Sequence, residues 1–183
     1  WSGWAKIKTG VTGTSYTDTT LKSNTNVQYT VRAINGNYAS WYTASKAIKY
    51  LATPTVKIAN AANGVTVSWN KITGAKSYVV YRSVYSGGAW SGWAKIKPGV
   101  TGTSYTDTAV KSGATVRYTV RVVNGNYASW YTASNTTKFL TQPTVKVAKT
   151  TTGINATWGK VSGTSGYIVY RRTYSNGAWS GWA

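Results

Sequence analysis

Two carboxylates, Asp18 and Asp107, are the only acidic side chains in 183 residues, and the chain contains no His, Cys, Met or Glu. General acid–base catalysis draws on His, Asp and Glu, and metal sites draw on Cys, His and carboxylates. A glycosidase-type pair needs two carboxyl groups within about 10 Å of each other. Asp18 and Asp107 stand 89 positions apart, one full period of the sequence, and so fall in different units. Each sits in a Tyr-Thr-Asp-Thr stretch, where Asp commonly organises a turn through the backbone that follows it. No Cys–His, Ser–His–Asp or zinc constellation can be assembled. The sequence therefore offers no catalytic residue, metal ligand or cofactor site, and its composition points away from an enzyme.

What the chain has in quantity is aromatic and basic. Ten Trp and fifteen Tyr stand against one Phe, and twenty-one Lys and Arg give a formal net charge of +19. Tyr and Trp pair an apolar body with a polar tip, which suits half-buried strands and wet surfaces. Leu is scarce, while Val, Thr, Ser and Gly are abundant, so the composition reads as all-β. No apolar run approaches the roughly 18 residues a membrane-crossing helix needs.

Trp-Ser-Gly-Trp-Ala occurs at 1–5, 90–94 and 179–183, and 38 of the 53 residues in 1–53 recur in 90–142. Residues 54–89 and 143–178 match more loosely but keep Pro54/Pro143, Trp69/Trp158, Tyr78/Tyr167 and Tyr81/Tyr170. Proline is tolerated at a strand start or edge. Starting units there divides the chain into the C-terminal part of one repeat (1–53), a complete repeat (54–142) and the N-terminal part of a third (143–183). The phase predicts a window from a longer tandem array. The alternative is a fibre in which one chain's 143–183 completes the next chain's 1–53 by strand complementation. The expected partners are thus neighbouring copies or repeats of itself.

Within the complete unit, Val65–Trp69 alternates with the period of a half-buried strand. Tyr78–Arg82 is a dense β-former run, and Ser86-Gly-Gly-Ala89 is a turn. Trp93–Lys97 alternates until Pro98-Gly99 is expected to stop it. Ser104–Thr108 is a short strand. Val116–Val122 alternates again and leads into the hairpin-type turn Asn124-Gly125-Asn126, with a last strand somewhere in 128–139. Seven short strands about ten residues apart predict an antiparallel sandwich.

Taken in order, Pro54-Thr-Val, Val65-Thr-Val-Ser-Trp69, Tyr78-Val-Val-Tyr81-Arg82, Ser104-Tyr-Thr-Asp-Thr108 and Tyr118-Thr-Val-Arg-Val-Val-Asn124-Gly125 resemble a fibronectin type III domain over the whole unit. The resemblance is strongest to Trp- and Tyr-rich type III-like arrays in surface and secreted proteins of Gram-positive anaerobic bacteria. It implies tandem immunoglobulin-like β-sandwiches, with Trp69 as core Trp of the second strand and Tyr118 and Tyr29 as core Tyr of the sixth. The Arg-Gly-Asp tripeptide of the integrin-binding members is absent, so integrin binding is not implied.

Alternation places Trp69, Trp158, Tyr29, Tyr118, Tyr78 and Tyr167 in the core. Trp1, Trp4, Trp90 and Trp93 flank Ser-Gly steps, and two Trp three apart are not expected to share one strand face. Trp41-Tyr42 and Trp130-Tyr131 are adjacent, so one of each pair should point outward. These eight form a candidate aromatic interaction surface, either packing against neighbours or stacking on sugar. Lys95, Lys97, Lys111, Arg117 and Arg121 form a candidate basic surface. Lysine on outer faces protects sheet edges, but so much uncompensated charge costs self-repulsion and favours an anionic partner. Acidic or neutral polysaccharide is the candidate, whereas sequence-specific nucleic-acid recognition has no motif here. The expected role is a structural segment of an extracellular, cell-surface bacterial fibre, stalk or filament. The alternatives are a carbohydrate-binding or adhesive module and, more weakly, a cationic binder of anionic polymers.

Overall fold

The valine- and threonine-rich alternation produces strands throughout: the computed structural model describes residues 3–183, and no helix occurs among them. Trp1 lies outside the described residues. Residues 54–142 hold a two-sheet sandwich. One sheet is formed by β1 (Val56–Ala61), β2 (Gly64–Trp69) and β6 (Ser104–Asp107), with β2 central and both pairings antiparallel. The other is built on β3 (Ser77–Ser86) and β7 (Thr115–Asn124), which pair from Ser77↔Val123 to Tyr85↔Thr115. Beside β3 run β4 (Ala89–Trp90) and β5 (Ala94–Val100), and beside β7 run β8 (Tyr127–Ala128) and β9 (Thr137–Lys138). This pair of antiparallel sheets, of three and six strands, is the fibronectin type III-like sandwich that the motif order implied.

The core follows from the alternation. Val65, Val67 and Trp69 of β2 face Tyr78 and Val80 of β3 and Val116, Tyr118, Val120 and Val122 of β7, with Phe139 closing the end. The Trp69 and Tyr78 rings lie 5.4 Å apart, and the Tyr78 hydroxyl accepts the Ile72 amide at 3.0 Å. Removing a ring of this size from a packed core costs about 3–5 kcal/mol.

Two edges depart from the sequence-based expectation. Pro98-Gly99 does not end its strand: β5 runs on to Val100, with its pairing to β3 shifted between Tyr78 and Tyr81. Pro98 is on an edge strand, where a missing amide is tolerated, and Gly99 adopts φ +69°, the left-handed conformation a bulge uses. The last strand is only two short pieces, because the regular pairing with β7 lapses between Ser129, whose amide donates to the Val122 carbonyl, and Ser134, whose amide donates to the Tyr118 carbonyl. There Ser129 and Ser134 extend the contact with side-chain oxygens: their Oγ atoms accept the amides of Val122 and Tyr118, each at 3.0 Å. Ser91 does the same for Val84 between β4 and β5.

Residues 143–183 repeat the local geometry without a second sheet across it. Val145–Lys149 pairs with Ile154–Trp158, and Tyr174–Ser175 pairs with Ala178–Trp179. The Trp158–Tyr167 ring pair recurs at 5.4 Å. Tyr167 is nevertheless 41% exposed and Trp158 only half-buried, which corrects the expectation of two core residues. The reason is the open face, on which Val147 is 71% and Ile168 77% exposed. Tyr29 is likewise half-buried, two residues past the short pairing of Thr25–Val27 with Ile48–Tyr50.

Successive units meet at one construction used twice. The Ser23 hydroxyl donates to the Thr73 carbonyl at 2.8 Å and accepts the Ala52 amide at 3.0 Å. Ser112, 89 residues on, donates to the Ser162 carbonyl at 2.9 Å and accepts the Thr141 amide at 3.1 Å. Gly74 and Gly163 have φ +83° and +79°. A Cβ on Gly74 would fall on the Asn24 side chain, and one on Gly163 on the Gly113 backbone. Glycine is thus required at each junction both for its backbone angle and for its lack of a side chain.

Candidate functional site

The two acids are spent on structure. Asp107 is 1% exposed; its Oδ2 accepts Arg82 Nη1 at 2.7 Å and the Tyr118 hydroxyl at 2.9 Å, and its Oδ1 accepts the Ala109 amide at 3.1 Å. Burial, reinforced by the Asp107 charge, holds the Tyr118 hydroxyl well above the ordinary tyrosine range. Asp18 keeps the turn and the tyrosine: Thr20 donates through hydroxyl and amide, and Tyr29 donates at 2.9 Å. The Thr20 bonds, with Tyr29, hold the Asp18 carboxyl below its ordinary range. No group of three metal-ligating side chains occurs among the described residues.

Arginine and tryptophan stack together on the outer face of the β5–β3–β7 sheet. Arg117 projects from β7, and its guanidinium carbon lies 4.3 Å from the Trp90 ring centre and 5.1 Å from that of Trp93. Trp90 packs on Tyr85 at 5.3 Å, and Trp93 meets Tyr131 edge-on at 5.9 Å. Trp130 follows, with its ring 6.4 Å from Tyr131. A cation sandwiched between two indoles is held electrostatically by both ring faces, and its aliphatic stem covers the sheet. The Ser-Gly step explains how two Trp three apart reach the same arginine. Ser91 and Gly92 lie between the strands, not within one, so they re-phase the chain.

The structure sorts the candidate residues. Trp90 and Trp93 are half-buried by this stacking. Trp130 is 81% exposed, and its counterpart Trp41 is 92% exposed. Tyr131, Tyr42 and Trp4 are partly exposed, and Trp4 meets Tyr42 edge-on at 5.9 Å, as Trp93 meets Tyr131. Lys95 pairs across to Tyr81, which pairs to Thr119; Arg117 and Arg121 flank that row on the same face of β7. Lys95 and Lys97 are exposed, whereas Arg121 is half-buried with its Nε donating to the Ser129 carbonyl at 2.8 Å. Lys111 stands apart, exposed in the turn before β7.

Arg82 and Arg172 are what sequence reasoning missed. Arg82 lies on the same strand as the core residue Tyr78, and only the approach of Asp107 reveals its ion pair. Arg172 stacks on Trp179 and Trp182 at 4.8 Å each, from the position that Ser83 holds in the preceding repeat. Ser83 and Arg117 are cross-strand partners, and the residue one period before Arg117 is Gln28. The signal was available as a swap: Ser83 with Arg117, Arg172 with a Gln28-type neighbour.

No family model matches the chain. Exoglucanase B of Cellulomonas fimi is 32% identical over 205 aligned residues, covering 92% of this chain and 18% of that protein. Amylopullulanase of Thermoanaerobacterium saccharolyticum is 38% identical over 72 residues, covering 39% of this chain and 5% of that one. Among solved structures, an Fn3-like protein from Clostridium thermocellum is 27% identical with a TM-score of 0.43, over 50% of this chain and 95% of that one. The chain therefore spans less than a fifth of the curated relatives it matches.

Proposed function

We propose that this chain is a non-catalytic run of type III-like repeats serving as a stalk or fibre segment of an extracellular bacterial protein. The observation that carries this reading is the doubled junction. Ser23 with Gly74 and Ser112 with Gly163 build the same contact at the same spacing, so each unit is set on the next in the same way. A repeated heterologous contact of this kind generates a linear array. The two part-units are also chemically complementary. Residues 143–183 carry Arg171, the counterpart of Arg82, and residues 3–53 carry Asp18 and Tyr29, the counterparts of Asp107 and Tyr118. A first half of one kind joined to a second half of the other restores the buried ion pair and leaves one arginine per Trp pair. The two relatives named as an exoglucanase and an amylopullulanase are compatible with an accessory stretch beside a catalytic portion.

Small-angle X-ray scattering of the chain tests this. The expected profile is that of a rod whose cross-section is one sandwich wide. A compact profile, with the units folded back on one another, contradicts it.

A second reading is carbohydrate binding at Trp130 and Trp41, favoured by the near-complete exposure of two indoles one period apart. Exposed aromatics repeated in this way mark an interaction surface. Titration with soluble glucan is expected to shift Trp fluorescence in the native chain and not in Trp41→Ala/Trp130→Ala.

A further inference from the structure

The basic side chains of this molecule are nearly all without an acid. Arg82 with Asp107 is the one salt bridge among the described residues, and Asp18 is engaged by Thr20 and Tyr29. Lys95 and Arg121 lie on the outer sheet face, exposed Lys97 follows on β5 past its register shift, and Trp130 and Tyr131 come directly after Ser129, whose carbonyl accepts Arg121 Nε. Each has its counterpart 89 residues earlier: Lys6, Lys8, Arg32, Trp41 and Tyr42. Arg32 lies over the Tyr42 ring at 5.9 Å, so cation and aromatic are adjacent in the earlier unit too. Charge and flat apolar surface are therefore presented together, once per repeat.

We infer that this face binds an anionic polysaccharide, its acidic groups meeting Lys95, Lys97 and Arg121 and a sugar ring lying on Trp130. The inference rests on the carbohydrate reading of Trp130 and Trp41 and adds the ligand's charge class and the cations that meet it. A stretched polymer suits the geometry because the cluster recurs along the chain, and each further repeat engaged raises the effective concentration for the next. Single-stranded nucleic acid is read by aromatic platforms that stack successive bases. Within residues 54–142 Trp130 is the single exposed indole, beside a sheet that carries exposed lysines, which fits a sugar chain better than a ladder of bases.

The test is affinity electrophoresis of the native chain through gels containing polygalacturonate, heparin, soluble neutral glucan or single-stranded DNA. The expected result is retardation by polygalacturonate or heparin that weakens from about 50 mM to about 200 mM salt, and the two gels separate carboxylate from sulfate recognition. Lys95→Glu/Lys97→Glu is expected to lose about tenfold or more in affinity. Lys57→Glu/Lys146→Glu makes the same change in net charge on exposed strands outside this sheet and is expected to lose little. Trp41→Ala/Trp130→Ala, which leaves charge unchanged, is expected to weaken retardation as well. Equal losses for the two charge-reversal pairs would overturn the inference, since net charge alone would then explain binding. Retardation by DNA as strong as by either polyanion, insensitive to the Trp changes, would also overturn it. Binding to neutral glucan alone would overturn the anionic assignment and leave the carbohydrate reading standing; retardation by none of the four would remove both.

Discussion

Asp107 is a carboxylate with three donors and almost no contact with water, and its arrangement with Arg82 and Tyr118 is the most consequential polar contact inside the sandwich. Asp107→Asn leaves the Arg82 charge without its counter-ion in a partly buried position. The expected cost is about 2–4 kcal/mol in urea denaturation, at or below the range for a broken buried pair because Arg82 retains some solvent. Tyr118 adds a pH dependence. Its hydroxyl pKa is raised above the ordinary 10.0 by burial first and by Asp107 second, so the folded state holds this proton more tightly than the unfolded one. That contribution is complete below about pH 10 and is lost as the pH climbs further. Denaturation midpoints from pH 8 to 12 are expected to fall on the alkaline side. Tyr118→Phe should start about 1–2 kcal/mol lower at neutral pH and fall less steeply. The Asp turn was legible in Tyr-Thr-Asp-Thr, because it depends only on neighbouring residues. The ion pair was not, since it joins strands 25 residues apart in sequence.

Strand identity was readable wherever one face is covered. Val65–Trp69 and Val116–Val122 alternate because the core accepts every second side chain, and both lie within strands with those residues inward. The edges were harder, because there side chains replace backbone pairing. Ser91, Ser129 and Ser134 look like ordinary polar residues in sequence; in the structure their hydroxyls accept amides that have no facing carbonyl. Ser129→Ala removes the partner of the buried Val122 amide and is expected to cost about 1–3 kcal/mol, the penalty of a buried donor left unpaired. A urea melt that matches the unsubstituted chain would contradict this role. The Ser-Gly step in Trp-Ser-Gly-Trp acts on the strand period: a strict two-residue period forbids both Trp from meeting Arg117, and breaking the period allows it. Arg117→Ala should therefore cost about 1–3 kcal/mol through lost stacking and lost stem packing, checked by the same melt.

For the whole molecule, the repeat length announced a row of units, and the glycines and serines between them say how the row is held. The 89-residue period fixed the spacing in sequence, but the contact of Ser112 with Ser162, and of Gly113 with Gly163, is visible only once the turns are placed side by side. Residues 143–183 show the converse: their sequence names a core residue, Tyr167, yet burial needs a covering sheet, so exposure there follows from the open face and not from local pattern. A stalk requires a fixed junction, and the absence of Cys lets that be tested cleanly. Spin labels attached at Lys57→Cys and Lys146→Cys, one period apart on equivalent strands, report the distance between adjacent units by pulsed electron resonance. A single narrow distance that broadens in Gly163→Ala is the predicted result; a broad distribution in the unsubstituted junction, unchanged by the glycine substitution, would contradict the account.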